Sequence, residues 1–394
     1  MDTPWTTTTL PGAHVAGAET FLRVLLAGPE DGAPVVLLHG FPETATVWRH
    51  QIPVLAEAGY RVIAPTLRGY AGSSRPRGLA PYRLDSLIGD VPALAQVLGI
   101  GPVHVVGHDW GGAIAWELAA RCPEHVRTVT VLNAPRADVL RRAGLSSLGQ
   151  LKRSWYILAF MPPVLGEALL ARIGPRRLFQ GTSAPGTFGE AELAEAEAAW
   201  AEPGVRTAML SYYRANLRPP ASRALRVAVP ALLVWGEADV ALGPELIAPT
   251  LATCDDARLV RLPGVSHWSP AEAPDAVNAA LLEHLGEHGG PDRWVYRIVR
   301  PGADPTAPSP LDRRDGFIHL SARGQLAGTL AAHFAGVTDV SLLTIDPGRL
   351  PPGALRWEAS RGGRRFPHLY SALPQGAIVG TLDPDVVRPG GAPA

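Results

Sequence analysis

Short apolar segments alternate with helical patterns between Val15 and about Glu287. Glycine, proline or polar residues bound each apolar segment, which is typical of buried strands in a parallel sheet. The apolar segments are residues 21–26, 33–38, 61–64, 103–106, 126–132, 231–235 and 257–262, and the helical patterns cover 48–58, 84–98 and 110–121. This alternation predicts an α/β fold with helices on both faces of the sheet and ligands at the carboxyl ends of the strands.

The alternation stops between about residues 136 and 224, where the pattern is helical, as in residues 191–200. Because the chain returns to the sheet at Val229, we expect this segment to cover the carboxyl ends of the strands as a lid. A separate helical domain with no part in the site is the alternative. The predicted core therefore comprises residues 1–135 and 225–288, and the predicted lid comprises residues 136–224.

A third region follows residues 287–292, whose sequence EHGGPD indicates a linker. Strand-like segments then lie at residues 294–299, 317–320, 340–345 and 377–379, and a helical pattern covers 321–334. These patterns predict a small α+β domain at residues 293–388.

Composition and charge narrow the classes of partner. The formal net charge is zero and the pI is about 7.2, so nothing favours nucleic acid or an anionic membrane. Cys122 and Cys254 form no metal or redox spacing, and the polar N-terminus does not resemble a signal peptide. No apolar run reaches the ~20 residues of a membrane span. We therefore expect a cytoplasmic protein with neither nucleic acid nor membrane as partner, and a homodimer is left open.

Residues 107–112, with the sequence GHDWGG, join a predicted strand to a predicted helix. This is the nucleophile-elbow pattern G-x-nucleophile-x-G, with Asp109 where esterases carry serine. A carboxylate at this turn is suited to displacement at saturated carbon, which leaves an ester on the enzyme. Helix N-capping is the alternative role of Asp109, because Asp is common at that position.

Three further segments follow predicted strands. Residues 39–43, HGFPE, supply the backbone N–H of Phe41, which can form an oxyanion hole with that of Trp110. Asp239 follows the strand that ends at residue 235 and can orient a histidine. His267 follows the last strand and is the candidate base. The order nucleophile, acid, histidine is that of the α/β-hydrolases.

Each of these polar residues also has a simpler interpretation. Asp239 taken alone is a turn residue, and His267 taken alone is an ordinary loop histidine. Asp138, in the loop after the preceding strand, is the rival for the acid. His39 and His108 are interpreted as structural or supporting residues.

Residues 33–287 resemble the epoxide hydrolases of the α/β-hydrolase superfamily. The matching motifs are HGFPE at 39–43, Trp48-Arg49, Arg68-Gly69-Tyr70, GHDWGG at 107–112, Asn133-Ala134-Pro135, and the segments around Asp239 and His267. The two lid tyrosines of that family have counterparts in Tyr156, within SWYILAF, and in Tyr213, within YYRAN. Without the resemblance, both tyrosines would be interpreted as packed aromatic residues.

The resemblance implies conversion of a small-molecule epoxide to a vicinal diol without a metal or an organic cofactor. Asp109 attacks an epoxide carbon and forms a covalent ester, while Tyr156 and Tyr213 donate hydrogen bonds to the epoxide oxygen. His267, held by Asp239, then activates water against the ester. The backbone amides of Phe41 and Trp110 stabilise the oxyanion of this second step. The expected substrate pocket contains His39, Pro42, Trp110 and Trp268.

Haloalkane or haloacid dehalogenation is the alternative reaction, because those enzymes share the aspartate elbow. Haloalkane dehalogenases usually carry Asn at the position of Phe41, and fluoroacetate dehalogenases usually carry Arg at that of Trp110. Both differences, together with the lid tyrosines, favour epoxide opening.

Residues 293–384 resemble a small bacterial family known as domain of unknown function 952, which has no settled activity. The matching motifs are WVYRI at 294–298, GFIHLS at 316–321, LRWE at 355–358 and FPHLY at 366–370. The candidate pocket residues are His319, Ser321, Glu358, Arg364, His368 and Tyr370. They suggest a small anion or nucleotide pocket, and the region would then be an accessory module. Alternatively, these residues only cap strands and fill turns. A structural or dimerising role is the alternative for the region as a whole.

Overall fold

The computed structural model describes residues 3–14, 19–217, 225–288, 294–322, 325–360 and 365–384. The chain forms two compact units, Met1–Asn278 and Ala279–Ala394. The predicted linker falls partly on residues 289–293, outside the described residues, so the domain boundaries given above stay predictions.

The first unit is built on one eight-stranded sheet with the strand order β1-β2-β4-β3-β5-β6-β7-β8. The strands are β1 (Thr6–Pro11), β2 (Phe21–Ala27), β3 (Pro34–Leu38), β4 (Arg61–Pro65), β5 (Val103–His108), β6 (Val126–Leu132), β7 (Ala231–Gly236) and β8 (Ala257–Leu262). β1 and β2 are antiparallel to their neighbours, and β3 to β8 are parallel. Every residue of β3, β5 and β7 is buried, because helices cover both faces of the sheet.

The helices of this region fall into those beside the sheet and those of the lid. Beside the sheet lie α1 (Ile52–Glu57), α2 (Leu84–Leu87), α3 (Asp90–Val97), α4 (Trp110–Arg121), α11 (Ile247–Leu251), α12 (Ser269–Glu272) and α13 (Pro274–Glu287). The lid contains α5 (Ala137–Ser146), α6 (Leu148–Arg153), α7 (Trp155–Phe160), α8 (Leu165–Thr182), α9 (Glu190–Ala201) and α10 (Val205–Ala215). The described part of the lid therefore consists of helices joined by short loops, as the pattern predicted.

All seven strands predicted for this region are present, but the pattern missed β1. The sequence of β1 is mostly threonine, and the strand pairs only with β2 at the edge of the sheet, so it lacks the apolar run of a buried strand. Two predicted helices are broken. A 3₁₀ turn, Ala45–His50, precedes α1, and α2 and α3 are separated at Ile88 and Gly89.

The lid is held against the core by side chains of α9 and of the residue that follows it. Trp200 Nε1 donates to the carbonyl oxygen of Pro42 at 3.1 Å. Arg49 forms an ion pair with Glu192, and Arg75 forms one with Glu202 at 2.8 Å. These contacts place the lid over the loop that follows β3, which is where the candidate site lies.

After the end of α13, the described part of the second unit contains two three-stranded antiparallel sheets and two further α-helices. One sheet has the order β10-β13-β12 and the other β14-β11-β9. The elements are β9 (Val295–Val299), α14 (Pro310–Asp315), β10 (Ile318–His319), α15 (Leu326–His333), β11 (Ser341–Ile345), β12 (Leu355–Ala359), β13 (Arg365–Leu369) and β14 (Ile378–Leu382). The pattern missed α14, β12 and β13. PLDRRD has few apolar positions and RFPHL contains a proline, whereas LRWEA alternates apolar and polar residues and carried a usable signal for β12. Among the residues described, no helix combines the length and the hydropathy needed to cross a membrane.

Candidate active site

Asp109 lies on a sharp turn between β5 and α4, with φ 50° and ψ −116°. A non-glycine residue with positive φ is strained, so the surrounding structure must hold it there. The two flanking positions must be glycine because neighbouring backbone atoms leave no room for a Cβ. A Cβ on Gly107 would lie 2.3 Å from the carbonyl oxygen of Gly111, and a Cβ on Gly111 would lie 2.1 Å from that of Leu38. The turn therefore exposes the Asp109 carboxylate above the carboxyl ends of the strands.

The loop after β3 supplies a hydrogen-bond donor to this carboxylate. The Phe41 backbone N–H donates to Asp109 Oδ1 at 2.7 Å. Gly40 allows the approach, since a Cβ there would lie 2.4 Å from Asp109 Cβ. Trp110 is the first residue of α4, so its N–H is one of the helix N-terminal donors without a partner inside the helix. Both predicted oxyanion-hole amides thus belong to segments that meet at Asp109.

Asp239 and His267 form a hydrogen-bonded pair beside the nucleophile. His267 Nδ1 lies 2.7 Å from Asp239 Oδ2, and His267 Nε2 lies 3.7 Å from Asp109 Oδ2. Burial disfavours the charged imidazole, but the carboxylates of Asp239, Asp109 and Glu43 outweigh it and raise the pKa of His267 to about 9. Burial also opposes the charge on Asp239, yet His267 and the surrounding donors hold the pKa of that carboxyl below its usual value.

Asn133 holds the Asp239 carboxylate in place, a role that sequence reasoning did not assign. Its Nδ2 donates to Asp239 Oδ2 at 2.9 Å, and its Oδ1 accepts from Ser269 Oγ at 2.8 Å. Asp239 Oδ1 accepts from the amides of Ala241 and Leu242 at 2.8 and 2.9 Å. The position of Asn133 directly after β6, at the same edge of the sheet as the other motifs, was the signal that could have identified it.

Asp138, the rival for the acid, points into a different ion-pair cluster. Its carboxylate lies 3.5 Å from Arg136 Nε and 2.8 Å from Arg142 Nη2. The residue that meets His267 is therefore Asp239.

Five aromatic side chains form a box around Asp109. The aromatic box consists of Phe41, Trp110, Tyr156, Phe160 and Tyr213. The Tyr213 ring lies 5.2 Å from the Trp110 ring and 6.2 Å from the Tyr156 ring, between ring centroids. Burial raises the pKa of both tyrosines, and the nearby Asp109 charge adds to this effect. Both hydroxyls therefore stay protonated and able to donate hydrogen bonds at neutral pH.

Tyr212 differs from Tyr213, although the two are adjacent on α10. The hydroxyl of Tyr212 donates to the carbonyl oxygen of Arg68 at 2.6 Å and is fully buried. Its polar atom is thus used in the core, which leaves Tyr213 as the tyrosine of α10 in the box.

His39 and His108 are both fully buried and support the site from behind. His39 Nε2 accepts from the Leu67 amide at 2.9 Å, so Nδ1 carries the proton and donates to the Gly40 carbonyl at 2.9 Å. Burial lowers the pKa of His39 to about 3, which keeps it neutral. His108 Nε2 lies 2.9 Å from the carbonyl oxygen of His267, and its Nδ1 lies 3.1 Å from Glu43 Oε2. The sequence did not indicate that Glu43 has this partner.

The remaining predicted pocket residues are Pro42, in the loop after β3, and Trp268, after β8. Pro42 lines a shallow cleft with Glu43, Arg49 and residues of α9, and neither Asp109 nor His267 is among the residues that line it. Trp268 packs edge-on against His267, with ring centroids 5.2 Å apart, and its Nε1 donates to Thr182 Oγ1 at 3.0 Å. Trp268 therefore links helix α8 of the lid to the neighbourhood of His267.

The second unit brings four of its six candidate residues together. His319 and His368 are cross-strand partners on β10 and β13, and the Phe317 ring stacks on His368 with centroids 4.0 Å apart. Glu358 Oε2 lies 3.1 Å from His368 Nδ1 and accepts from the Tyr370 hydroxyl at 2.6 Å.

The other two candidates of this unit are placed differently. Ser321 Oγ lies 3.3 Å from Thr329 Oγ1, so it contacts α15 instead of the histidines. Arg364 lies outside the described residues. The nearest polar partner of His319 is Asp312, at 2.8 Å from its Nδ1, and sequence reasoning did not name it. Within the described ranges, no group of three or more His, Cys, Asp or Glu residues is arranged to hold a metal ion.

Two protein-family models match the chain, and each covers a different part of it. Residues 33–274 match the model of the alpha/beta hydrolase fold. Residues 299–381 match the model of a protein family of unknown function, DUF952.

Individual relatives match the first part of the chain. The AB hydrolase superfamily protein YfhM of Bacillus subtilis is 37% identical over 268 residues, covering 67% of this chain and 94% of the relative. Epoxide hydrolase A of Mycobacterium tuberculosis is 35% identical over 313 residues, covering 67% and 94%. A solved structure of an epoxide hydrolase from a hot-environment metagenome is 35% identical, with a TM-score of 0.63, and covers 71% of this chain and 99% of its own.

Proposed function

Because the chain belongs to the α/β-hydrolase family, in which relatives such as epoxide hydrolase A match nearly over their full length, we propose that it hydrolyses an epoxide to a vicinal diol through an ester on Asp109. The observation that carries this proposal is the aromatic box, in which the rings of Tyr156 and Tyr213 lie together beside a carboxylate on a strained turn. Ring opening requires both groups, since the carboxylate attacks carbon while a donor protonates the departing alkoxide.

In the first step, the Asp109 carboxylate attacks one epoxide carbon and the carbon–oxygen bond of the ring breaks. Tyr156 and Tyr213 hydrogen-bond the ring oxygen, and one of them transfers its proton to the alkoxide. The Phe41 amide, 2.7 Å from Asp109 Oδ1, orients the carboxylate so that the other oxygen is free to react. This step leaves a hydroxyalkyl ester on Asp109.

In the second step, His267 removes a proton from water, and the resulting hydroxide adds to the ester carbonyl carbon. The Phe41 and Trp110 amides stabilise the oxyanion, each contributing on the order of 10²-fold. Collapse expels the diol oxygen, which takes the proton held by His267. The proton of the regenerated Asp109 carboxyl passes to the tyrosinate left by the first step, so the carboxylate, both phenols and the imidazole are restored. The negative charge of Asp109 is one cause of the raised pKa of His267. Because esterification removes that charge, it lowers the pKa of His267, and the histidine can then act as a base.

Dehalogenation by the same nucleophile is the alternative function. A halide leaves as a stable anion and requires no proton, so two buried phenols beside Asp109 would have no task in that reaction. Phe41 presents a ring to the box, packed 5.3 Å from Tyr213, where an amide side chain would offer a donor to a halide. The site geometry therefore favours an oxygen leaving group.

Trapping the ester distinguishes these functions. The variant His267→Gln should form the ester but hydrolyse it slowly, so intact-protein mass spectrometry should show a gain equal to the whole mass of the epoxide. A haloalkane adduct would lack the halogen. The double variant Asp109→Asn, His267→Gln is the matched control and should gain nothing. An adduct from haloalkanes but from none of a panel of styrene, aliphatic and fatty-acid epoxides would contradict the proposal.

A nucleotide-binding or other accessory role of the second unit is a separate proposal. It is supported by the Phe317 ring and by His368 Nε2, a buried ring nitrogen with no hydrogen-bond partner among the described residues. Asp312, Asp315 and Glu358 stand close to the two histidines and would repel phosphate, which favours recognition of a base or of nicotinamide. Calorimetry of the full chain with adenine and nicotinamide nucleotides tests this role, and the absence of heat with all of them would contradict it.

A further inference from the structure

One segment of the lid exposes an unusual amount of apolar surface. It comprises the exposed residues of α6, α7 and the start of α8, which we call the lid face. The lid face consists of Leu151, Trp155, Leu158, Val164 and Leu165, whose exposed fractions are 50%, 62%, 67%, 76% and 67%. Single exposed apolar residues are common on proteins, but a contiguous group on one segment indicates an interaction surface.

The segment is amphipathic. The Ser154 amide donates to the carbonyl oxygen of Gln150 at 2.9 Å, so α6 and α7 form a nearly continuous helical run. Leu151, Trp155 and Leu158 are spaced by four and three residues and so share one side of it. Phe160 is buried on the other side. The lid face thus lies on the solvent side of the helix that carries Tyr156.

The segment that carries the lid face has an excess of basic residues, although the whole chain is neutral. Residues 137–180 contain seven basic residues and two acidic ones, whereas residues 181–203 contain five glutamates and no basic residue. The two acidic residues of the first segment, Asp138 and Glu167, are each paired with arginine. Four exposed basic side chains of residues 137–180 have no ion-pair partner among the described residues. They are Arg141, Lys152, Arg172 and Arg177.

We propose that the lid face binds an anionic lipid surface, which departs from the expectation of no membrane partner because that expectation rested on the net charge of the whole chain. A Trp- and Leu-containing helical face flanked by Lys and Arg is the pattern of interfacial helices, whose apolar side chains enter the lipid headgroup region while the basic side chains attract anionic lipid. A second copy of the chain suits this face less well, because a symmetric contact would place one positive region against another. The proposal concerns binding only and does not depend on the reaction at Asp109.

Flotation of the full chain with lipid vesicles tests the proposal. The chain should bind vesicles of phosphatidylcholine mixed with phosphatidylglycerol, bind vesicles of phosphatidylcholine alone at least tenfold more weakly, and release as salt concentration rises. Equal binding to both kinds of vesicle, or to neither, would overturn it.

Variants locate the surface. The double variant Trp155→Ser, Leu158→Ser should weaken binding by roughly tenfold or more, since it removes two large apolar side chains that enter the lipid. The matched control is Leu79→Ser, Val97→Ser, because both residues are 46% exposed and lie outside the lid. Circular dichroism checks that both proteins fold. Equal binding by the two variants, or a change of oligomeric state in the lid variant alone, would overturn the proposal.

Discussion

Each unit of this chain contains a histidine whose Nδ1 is bonded to an aspartate, and the two pairs have nearly the same geometry. The distance is 2.7 Å between His267 and Asp239, and 2.8 Å between His319 and Asp312. Their surroundings differ. The His267 side chain is 8% exposed with Nε2 3.7 Å from Asp109, whereas that of His319 is 33% exposed with Nε2 3.3 Å from Asp315.

The difference lies in what the second ring nitrogen of each histidine faces, and it is the reason we propose only His267 as a base. In the first unit, Nε2 faces a carboxylate that is held on a strained turn and lies beside a group of aromatic rings. In the second unit, Nε2 faces a surface carboxylate that is itself paired with Arg314. Asp312 also caps α14 and contacts Arg297, which indicates that this pair serves the local fold. The hydrogen bond alone therefore does not identify a base.

The largest expected contrast comes from neutralising the two aspartates. Asp239→Asn should lower kcat for diol formation by roughly 10³–10⁴-fold, because an amide can neither hold the correct tautomer of His267 nor stabilise its charged form. Asp312→Asn should leave kcat within about twofold, but it should lower the free energy of unfolding by ~1–3 kcal/mol through lost hydrogen bonds. Steady-state kinetics and denaturant unfolding measure both. A large loss of kcat in Asp312→Asn would remove the distinction between the pairs.

A smaller contrast is expected between the adjacent tyrosines of α10. Tyr213→Phe should lower the rate of ester formation on the order of 10–10²-fold, since one of two donors to the alkoxide is lost. Tyr212→Phe should leave that rate unchanged and only destabilise the fold, because its hydroxyl is bonded to the Arg68 carbonyl. Stopped-flow measurement of single turnovers reports the rate. The opposite ranking would place the wrong tyrosine in the site.

Stability should depend on pH through His267 in a defined direction. Its pKa is raised from 6.5 to about 9 by folding, so its contribution is complete below pH 6.5 and is lost as the pH rises through 9. The expected loss is roughly 3 kcal/mol, and it should disappear in His267→Gln. Denaturant unfolding at a series of pH values measures it. A wild-type profile that matches the variant would show that the charge on His267 is not stabilised.

The smallest expected effect isolates the charge of the nucleophile. Asp109→Asn should lower the pKa of His267, because it removes one of the carboxylates that raise it, and it thereby mimics the neutral ester. Asp315→Asn makes the equivalent change beside His319 and should leave His267 untouched. NMR titration of the imidazole signals measures both. An unchanged pKa of His267 in Asp109→Asn would contradict the proposed coupling between the two catalytic steps.

The sequence predicted those features of the site that are local in the chain. Asp109, Asp239 and His267 each follow an apolar strand directly, so the topology of a parallel sheet brings them to one edge. Glu43, Asn133 and Phe160 were quoted within motifs, yet their roles depend on partners more than 50 residues away, such as Asp239 for Asn133. No pattern along the chain encodes those contacts.

The second unit was harder to predict for a related physical reason. Its strand β13 contains a proline, and the pairing of His319 with His368 is set by strand register. Asp312 lies on a short helix that begins at Pro310 and has no apolar periodicity. The cluster therefore depends on tertiary packing that the alternation of apolar and polar residues does not reveal.

The covalent role of Asp109 is tested most directly by one turnover in heavy-oxygen water, with enzyme in excess over epoxide. The account predicts that the diol of this first turnover is unlabelled, because its new oxygen comes from the Asp109 carboxylate. The peptide that contains Asp109 should gain one heavy oxygen, from the water that attacks the ester. Heavy oxygen in the diol and none in Asp109 would show direct attack by water and would contradict the account.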